Sequence, residues 1–121
     1  MTTSEIATVL AWHDALNERD LDTLLSLSSD DIEVGDAKGA TQGHAALLDW
    51  AQSSDFRAEP GRMYVHDGVV VVEENVTSAA GNTIAAAAFR VVRDHITSVF
   101  RHPDLATALA ATELTDKDLA G

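Results

Sequence analysis

The chain has 121 residues, 45% of them hydrophobic, which is the size and composition of one globular domain. It carries 20 acidic residues against 8 lysines and arginines, and its formal net charge of −12 argues against nucleic-acid and membrane-surface binding. The absence of cysteine excludes disulfides and zinc-thiolate sites. The first residues lack the basic and apolar regions of a signal peptide, and no apolar run reaches the ~20 residues of a membrane-spanning helix, so we expect a cytoplasmic protein.

The first part of the chain predicts two helices. Apolar residues recur at helical spacing from Ile6 to Leu16, and Ser4 before them is the expected N-cap. Asp20 is placed to cap a second, shorter helix whose buried face includes Leu21 and Leu24.

Residues 30–36 predict a strand, along which side chains alternate between two faces. Ile32 and Val34 indicate the buried face, and Asp36 falls on that same face. A carboxylate there needs a hydrogen bond, a proton or the wet mouth of a cavity, which makes Asp36 the first candidate functional residue. The alternative is that Asp36 lies past the strand end and caps the turn at 37–39.

The rest of the chain predicts a polar loop, a third helix, four strands and a last helix. Expected bounds are 38–43 for the loop, about 43–52 for the third helix, 56–66, 69–76, 83–93 and 96–102 for the strands, and 105 to about 114 for the last helix. Pro60-Gly61 predicts a bulge and Asp67-Gly68 a type I′ hairpin turn. Asp104 is the expected N-cap of the last helix, and the tail 115–121 is expected to fray.

This order of elements predicts a single α+β domain over residues 1–121, with a core from about 5 to 112 and an antiparallel sheet. Three N-terminal helices against one face of a long, bulged and curved sheet would form a cone with a cavity at its open end. Small inward residues such as Ala85 and Ala87 would leave room for that cavity.

Five stretches carry a resemblance to a known family: ALNERDLDTL (15–24), DDIEV (30–34), GHAAL (43–47), VVRDHITSV (91–99) and DLA (104–106). Together they resemble the SnoaL-like polyketide cyclase and ketosteroid isomerase branch of the nuclear transport factor 2-like superfamily. The resemblance covers residues 5 to 112 and implies the cystatin-like cone. For function it is poorly specific, because this fold carries isomerases, cyclases, hydrolases, dehydratases and plain binding proteins.

The resemblance implies roles for three positions. In ketosteroid isomerases the general base is an Asp at the end of the first strand, and Asp36 falls there. The two donors of the oxyanion hole, a helix-1 Tyr and a protonated strand Asp, fall on Trp12 and near Ala87. Trp12 offers one N–H and Ala87 offers none. Because one such donor is typically worth about 10²–10³ in rate, we expect the base without the oxyanion hole and no true ketosteroid isomerase activity.

Further candidates surround the expected cavity. Strand alternation sends Arg101 and His102 to opposite faces, so at most one lines the cavity: Arg101 as a clamp for a carboxylate or enolate, or His102 as an acid or base. Surface ion pairing is the alternative for both. Glu73 and Glu74 also alternate, so one faces inward and the other outward, and one of them can pair with Arg90, Arg62 or Arg101 across strands. The other expected pocket residues are Trp12, His13, Trp50, Met63, Tyr64, Ala87, Phe89 and Phe100, with a satisfied buried histidine as the alternative for His13.

We therefore expect a protein that binds an apolar small molecule, and two functions stay open. One is an isomerase or cyclase with Asp36 as general base on an apolar carbonyl compound. The other is a non-catalytic ligand-binding or dimerisation module. The five histidines are scattered, so neither a metal nor another cofactor is expected. A homodimer through the outer sheet face is expected, because alternation leaves Val69 and Val71 on the face opposite Val70 and Val72.

Overall fold

A computed structural model describes residues 2–36, 38–53 and 56–120 and shows the predicted α+β fold. Its helices are α1 (Thr2–Glu18), α2 (Leu21–Ser26), α3 (His44–Ser53) and α4 (Leu105–Thr112), followed by a 3₁₀ turn at Asp116–Asp118. Its strands are β1 (Ser28–Asp36), β2 (Gly39–Gln42), β3 (Arg57–His66), β4 (Val69–Ser78), β5 (Gly81–Val92) and β6 (His95–His102). Helix α1 begins before Ser4, so the expected N-cap at Ser4 is wrong.

The six strands form one sheet in the order β2-β1-β6-β5-β4-β3. Strands β3 to β6 are the predicted antiparallel meander, with the predicted register shift after Pro60. Strand β1 pairs parallel with β6, which the alternation pattern could not reveal. Strand β2 lies at the edge against β1, in the segment predicted as a loop. Its four residues are all exposed, so it lacks the apolar alternation that marks a strand.

The inner face of the sheet packs against the three N-terminal helices and forms the main core. Trp12 of α1 lies at its centre, with its ring stacked on Trp50 at 6.0 Å and edge-on to Phe89 at 5.4 Å between centroids. Its indole N–H donates a hydrogen bond to Ser28 Oγ at 3.1 Å. These rings fill space that the sequence left open as a possible cavity.

Helix α4 packs on the outer face of the sheet and forms a second core with Tyr64, Val71 and Ala88. Asp104 caps this helix as predicted, accepting a hydrogen bond from Thr107 N at 2.8 Å. That bond lowers the pKa of Asp104, because it favours the charged carboxylate. Because α4 covers apolar residues of the outer face, their apolarity alone does not require a second copy of the chain.

The C-terminal tail docks on β3, so the expectation that it frays is wrong over the described residues up to 120. Thr115 and Asp118 form a capping box around the 3₁₀ turn. Beyond it, Leu119 bridges to Tyr64, and Ala120 N donates to Met63 O at 2.8 Å. The tail is held by backbone hydrogen bonds, and these cannot be predicted from its polar side chains.

The Asp67-Gly68 turn adopts the predicted type I′ geometry, with φ of +48° and +80° at its two residues. It joins β3 to β4 in the register that places Val70 and Val72 on the inner face and Val69 and Val71 on the outer face.

Asn17 joins the end of α1 to the start of β3. Its side-chain amide donates to Ala58 O at 2.8 Å, and its amide oxygen accepts from Ala58 N at 2.9 Å. Ala58 is buried, so its backbone groups lose both partners if the amide is removed. We expect Asn17→Ala to lower the free energy of unfolding by about 2 kcal/mol in urea titration. Asn75→Ala, at an exposed position of β4, is the matched control and should leave stability unchanged.

Candidate functional site

A pocket of about 200 Å³ lies between the β1–β2 hairpin, α3 and β6. We name it the hairpin pocket. It brings together three of the predicted site residues, Asp36, Trp50 and Arg101. The rest of its lining is Val34, Gly35, Gly39, Ala40 and Thr41.

Gly35 makes the close approach of β2 possible. A Cβ atom at this position would lie 2.6 Å from Gly39 O and 2.7 Å from Ala40 Cβ, closer than real Cβ atoms come to other atoms. The glycine therefore lets the edge hairpin fold tightly enough to form one wall of the pocket.

Asp36 ends β1 on the same side as Val34, but it is exposed, so the expectation that it extends the buried face of Ile32 and Val34 into the interior is wrong. The burial ends at Val34 because the chain leaves the sheet in the turn to β2, where Asp36 is the last residue in register with Gly39. Its carboxylate accepts a hydrogen bond from Lys38 N at 2.8 Å, which is the turn-capping alternative. Asp36 nevertheless lines the hairpin pocket, as its candidate role requires.

Arg101 of β6 is the member of the Arg101–His102 pair that faces the same pocket as Asp36. Its guanidinium carbon lies 4.6 Å from the centroid of the Phe56 ring, a cation–π contact. On its inner side, Arg101 Nη2 lies 3.3 Å from Glu74 Oε1. Arg101 thus reaches from the pocket to the buried core.

His13 and Glu74 form a buried pair behind Arg101, with side chains 0% and 2% exposed. His13 Nε2 lies 2.6 Å from Glu74 Oε2, and His13 Nδ1 lies 2.9 Å from Val9 O. A carbonyl oxygen only accepts, so Nδ1 carries a hydrogen and donates to Val9. The contact to Glu74 then also needs a proton, held either by Nε2 or by the carboxyl group. The satisfied-histidine alternative for His13 is therefore the observed one.

The second oxygen of Glu74, Oε1, has no hydrogen bond within the described residues. Arg101 is near enough for an ion pair, but its N–H groups are not aimed along a hydrogen bond to that oxygen. Glu73 faces outward and pairs with Arg62, with Nε–Oε1 at 3.0 Å and Nη2–Oε2 at 3.2 Å. This pairing raises the pKa of Arg62 through the hydrogen bond and the charge of Glu73. The prediction that one of the two glutamates faces inward is confirmed.

The sequence analysis predicted one inward glutamate without deciding between Glu73 and Glu74, although the sequence contains the signal that selects Glu74. Val70, Val72 and Glu74 share one face of a strand by period 2, so an acid follows two apolar residues on the inner side. Its arginine and histidine partners lie on β6 and α1, and no local pattern indicates which of them it meets.

The predicted pocket residues of the inner face are core instead. Trp12, Met63, Ala87 and Phe89 are buried in the main hydrophobic cluster. The indole N–H of Trp12 is already bonded to Ser28, so it does not supply a donor to a ligand. The sequence could not separate the wall of a cavity from a filled core, because both need large apolar side chains facing inward.

Tyr64, Phe100 and His102 lie on the outer face, because strand parity turns them away from Met63 and Arg101. Tyr64 is buried beneath α4. Phe100 and His102 line a groove of about 530 Å³ between the sheet and the end of α4. This outer groove is larger than the hairpin pocket, but it is separated by the sheet from Asp36 and Arg101. We therefore take the hairpin pocket as the candidate site.

Two further properties bear on function. Among the described residues, no group of three His, Asp or Glu side chains is arranged to hold a metal ion. No helix in this part of the chain combines the length and apolar character needed to cross a membrane.

Comparison with known proteins gives both a family and a set of similar folds. The sequence matches the SnoaL-like domain family over residues 9–106, whereas no curated protein matches it significantly. A candidate ketosteroid isomerase from Kribbella flavida DSM 17836 superposes with a TM-score of 0.77 at 18% identity, over 85% of this chain and 80% of that one. A candidate polyketide cyclase from Sinorhizobium meliloti gives 0.73 at 22% identity, over 79% and 94%.

An NTF2-like protein of unknown function from Cytophaga hutchinsonii ATCC 33406 gives a TM-score of 0.75 at 15% identity, over 83% of this chain and 89% of that one. At these identities the structural likeness shows the fold alone. The family match covers most of the chain and agrees with the order of helices and strands described above. The chain therefore belongs to the SnoaL-like domain family and has an NTF2-like fold.

Proposed function

We propose that this chain is an isomerase or cyclase that acts on a compact carbonyl compound, with Asp36 as general base and Arg101 as the group that stabilises the enolate. The observation that carries the proposal is that Asp36 and Arg101 line one pocket. Enolisation needs a base near the α-carbon and a positive or hydrogen-bonding group near the carbonyl oxygen. The hairpin pocket offers one of each.

The chemistry follows from these two side chains. The Asp36 carboxylate takes the α-proton, the C–H electron pair forms the enolate C=C bond, and negative charge develops on the oxygen. The planar guanidinium of Arg101 has N–H donors that can bind that oxygen. Arg101 thereby replaces the donors that are absent at Trp12 and Ala87. In a substrate with a β,γ double bond, the charge spreads along the conjugated enolate, and return of the proton from Asp36 to the γ-carbon gives an isomer. Attack of the enolate on a second carbonyl group closes a ring, and Asp36 then returns the proton to the alkoxide that forms.

The size of the pocket supports a compact ligand. Its volume of about 200 Å³ is below the roughly 300–1,000 Å³ of typical small-molecule sites. Val34 and Trp50 supply apolar surface for the body of the ligand, while Asp36 and Arg101 supply the polar contacts. These features favour a small or single-ring carbonyl compound over a steroid.

A non-catalytic ligand-binding module is the second candidate, and one observation favours it. The Asp36 carboxylate is exposed and bonded to Lys38 N, so it already serves as a turn cap. In that case Trp50 and Arg101 hold the ligand without proton transfer. Both candidates keep two earlier predictions, a cytoplasmic location and a homodimer through the outer sheet face. The outer groove beside α4 is one part of that face that is open to a second copy.

Proton exchange tests the proposal without knowledge of the natural substrate. A compact ketone such as 2-indanone is incubated in deuterium oxide, and loss of its α-proton signal is followed by NMR. We expect the protein to accelerate this loss and Asp36→Asn to reduce the acceleration by at least ~10²-fold, because the base is removed. Asp31→Asn is the matched control, since Asp31 lies exposed on the same strand outside the pocket.

Two outcomes would count against catalysis by Asp36. An Asp36→Asn variant as fast as the wild type removes Asp36 as the base. A wild type that accelerates no exchange, while ketone binding shifts the Trp50 indole signal, identifies the chain as a binding module.

A further inference from the structure

We propose that the buried His13–Glu74 pair makes the hairpin pocket selective for compact organic anions, by leaving the charge of Arg101 uncompensated. The inference rests on the proposed role of Arg101 as the ligand-binding group, and it names the ligand class: a carboxylate- or enolate-bearing molecule. His13 and Glu74 act through Arg101, so they are specificity-determining residues without contact to the ligand.

The net charge of the His13–Glu74 pair follows from its hydrogen bonds. The hydrogen bonds of His13 require one proton in its contact with Glu74. If Nε2 holds it, imidazolium and carboxylate cancel. If the carboxyl group holds it, both side chains are neutral. The pair has zero net charge in either arrangement, so Glu74 does not neutralise Arg101 although it lies 3.3 Å away.

The geometry agrees with this count. The closest approach of Glu74 is to His13, at 2.6 Å through Oε2, whereas its Oε1 has no hydrogen bond in the described part of the chain. Arg101 therefore keeps its donors available on the pocket side, with Phe56 packed against the guanidinium face.

The other charges of the protein oppose the binding of an anion, so an Arg101 that Glu74 does not neutralise matters for anion binding. A chain with a net charge of −12 repels anions at long range. Asp36 is a carboxylate in the same pocket, so it cannot contribute to the binding of an anionic group. Among the described residues that line this pocket, Arg101 is the cation, and a fully neutralised Arg101 would leave them without attraction for an anion.

Three variants separate charge from packing. His13→Gln keeps a donor toward Glu74 but carries no charge, so the Glu74 carboxylate compensates Arg101. Glu74→Gln leaves neutral histidine and neutral amide, so Arg101 stays uncompensated. His13→Gln/Glu74→Gln also leaves Arg101 uncompensated. Selectivity for anions should therefore be lost in the first variant, kept in the second and restored in the double variant.

The measurement is the affinity for benzoate relative to benzamide, a neutral molecule of the same shape. Binding is followed through the Trp50 indole N–H in nitrogen-edited NMR spectra, with the core Trp12 indole as an internal reference. In the wild type we expect benzoate to bind about tenfold or more tightly than benzamide, as for a hydrogen bond with a charged group. His13→Gln should bring the ratio near one. Glu73→Gln, which removes a charge from the outer side of β4, should leave the ratio unchanged.

The outcomes are distinct from those of the exchange experiment. A wild type that binds neither compound, or binds both equally, overturns the inference. So does a double variant whose ratio stays as low as that of His13→Gln, because that pattern indicates packing damage. If the ratios follow the charge count while no α-proton exchange occurs, anion selectivity stands and the proposed catalysis fails. If Asp36-dependent exchange occurs but the affinity ratios of the variants do not follow the expected charges, the proposed catalysis stands and the inference about anion selectivity fails.

Discussion

Trp12→Ala is expected to lower the free energy of unfolding by about 3–5 kcal/mol, which is the usual cost of truncating a buried tryptophan. The ring is 1% exposed and lies between Trp50 and Phe89, so its removal leaves a cavity that rigid neighbours cannot fill. The hydrogen bond to Ser28 is lost as well. Urea denaturation followed by circular dichroism measures the change.

Two control variants show how much of this stability loss comes from the buried ring and how much from its hydrogen bond. Trp12→Phe keeps most of the ring volume and loses the N–H donor, so it should cost about 1 kcal/mol. Trp50→Ala removes a half-buried ring at the hairpin pocket, where water can enter, and should cost less than Trp12→Ala. A Trp12→Ala variant nearly as stable as the wild type would show that Trp12 is not a centre of the core.

His13→Leu is expected to lower the free energy of unfolding by about 3 kcal/mol, because it leaves the Glu74 carboxylate buried with no hydrogen-bond donor from His13. His13→Leu/Glu74→Leu should recover most of this loss, since two apolar residues replace the pair with no buried charge. Arg101 then keeps its stacking on Phe56 and its exposure to water. A double-mutant cycle of unfolding free energies, measured in urea, gives the coupling free energy between His13 and Glu74.

Arg62 and Glu73 provide the matched cycle, because they form a pair on the outer side of the same sheet. Arg62→Leu/Glu73→Leu should show no measurable coupling, since an exposed pair gains little in water. If the double leucine variant at 13 and 74 is less stable than His13→Leu alone, the buried pair stabilises the fold by itself.

The sequence predicted most of the fold because its signals are local. Period-2 alternation located the strands of the meander, the Asp67-Gly68 turn set their first register, and Asp104 marked the start of α4. The sequence did not predict the parallel pairing of β1 with β6, because the residue pattern of a strand does not identify its partner when the two are far apart in the chain. The edge strand β2 was also missed, since an exposed strand needs no apolar residues.

The candidate site was predictable only in part. Strand parity correctly separated Arg101 from His102, predicted one inward glutamate and placed Asp36 on the side of Val34, but it did not predict that Asp36 is exposed. The strand ends at that residue, and an alternation pattern does not specify its own end. The contact of His13 with Glu74 depends on how α1 crosses the sheet, which no short stretch of sequence determines.

The position of β6 has a consequence for how the chain acquires its structure. Strand β6 lies inside the sheet, and among the described strands it is the one that joins the β1–β2 hairpin to the remaining strands. A nascent chain emerging from the ribosome therefore holds β1 without a neighbour on that side until the end of the domain has been synthesised. Closure of the sheet relies on contacts between residues far apart in sequence, which slow folding. Arg101 lies on β6, so a chain that ends before this strand cannot form the hairpin pocket that Asp36 and Arg101 line.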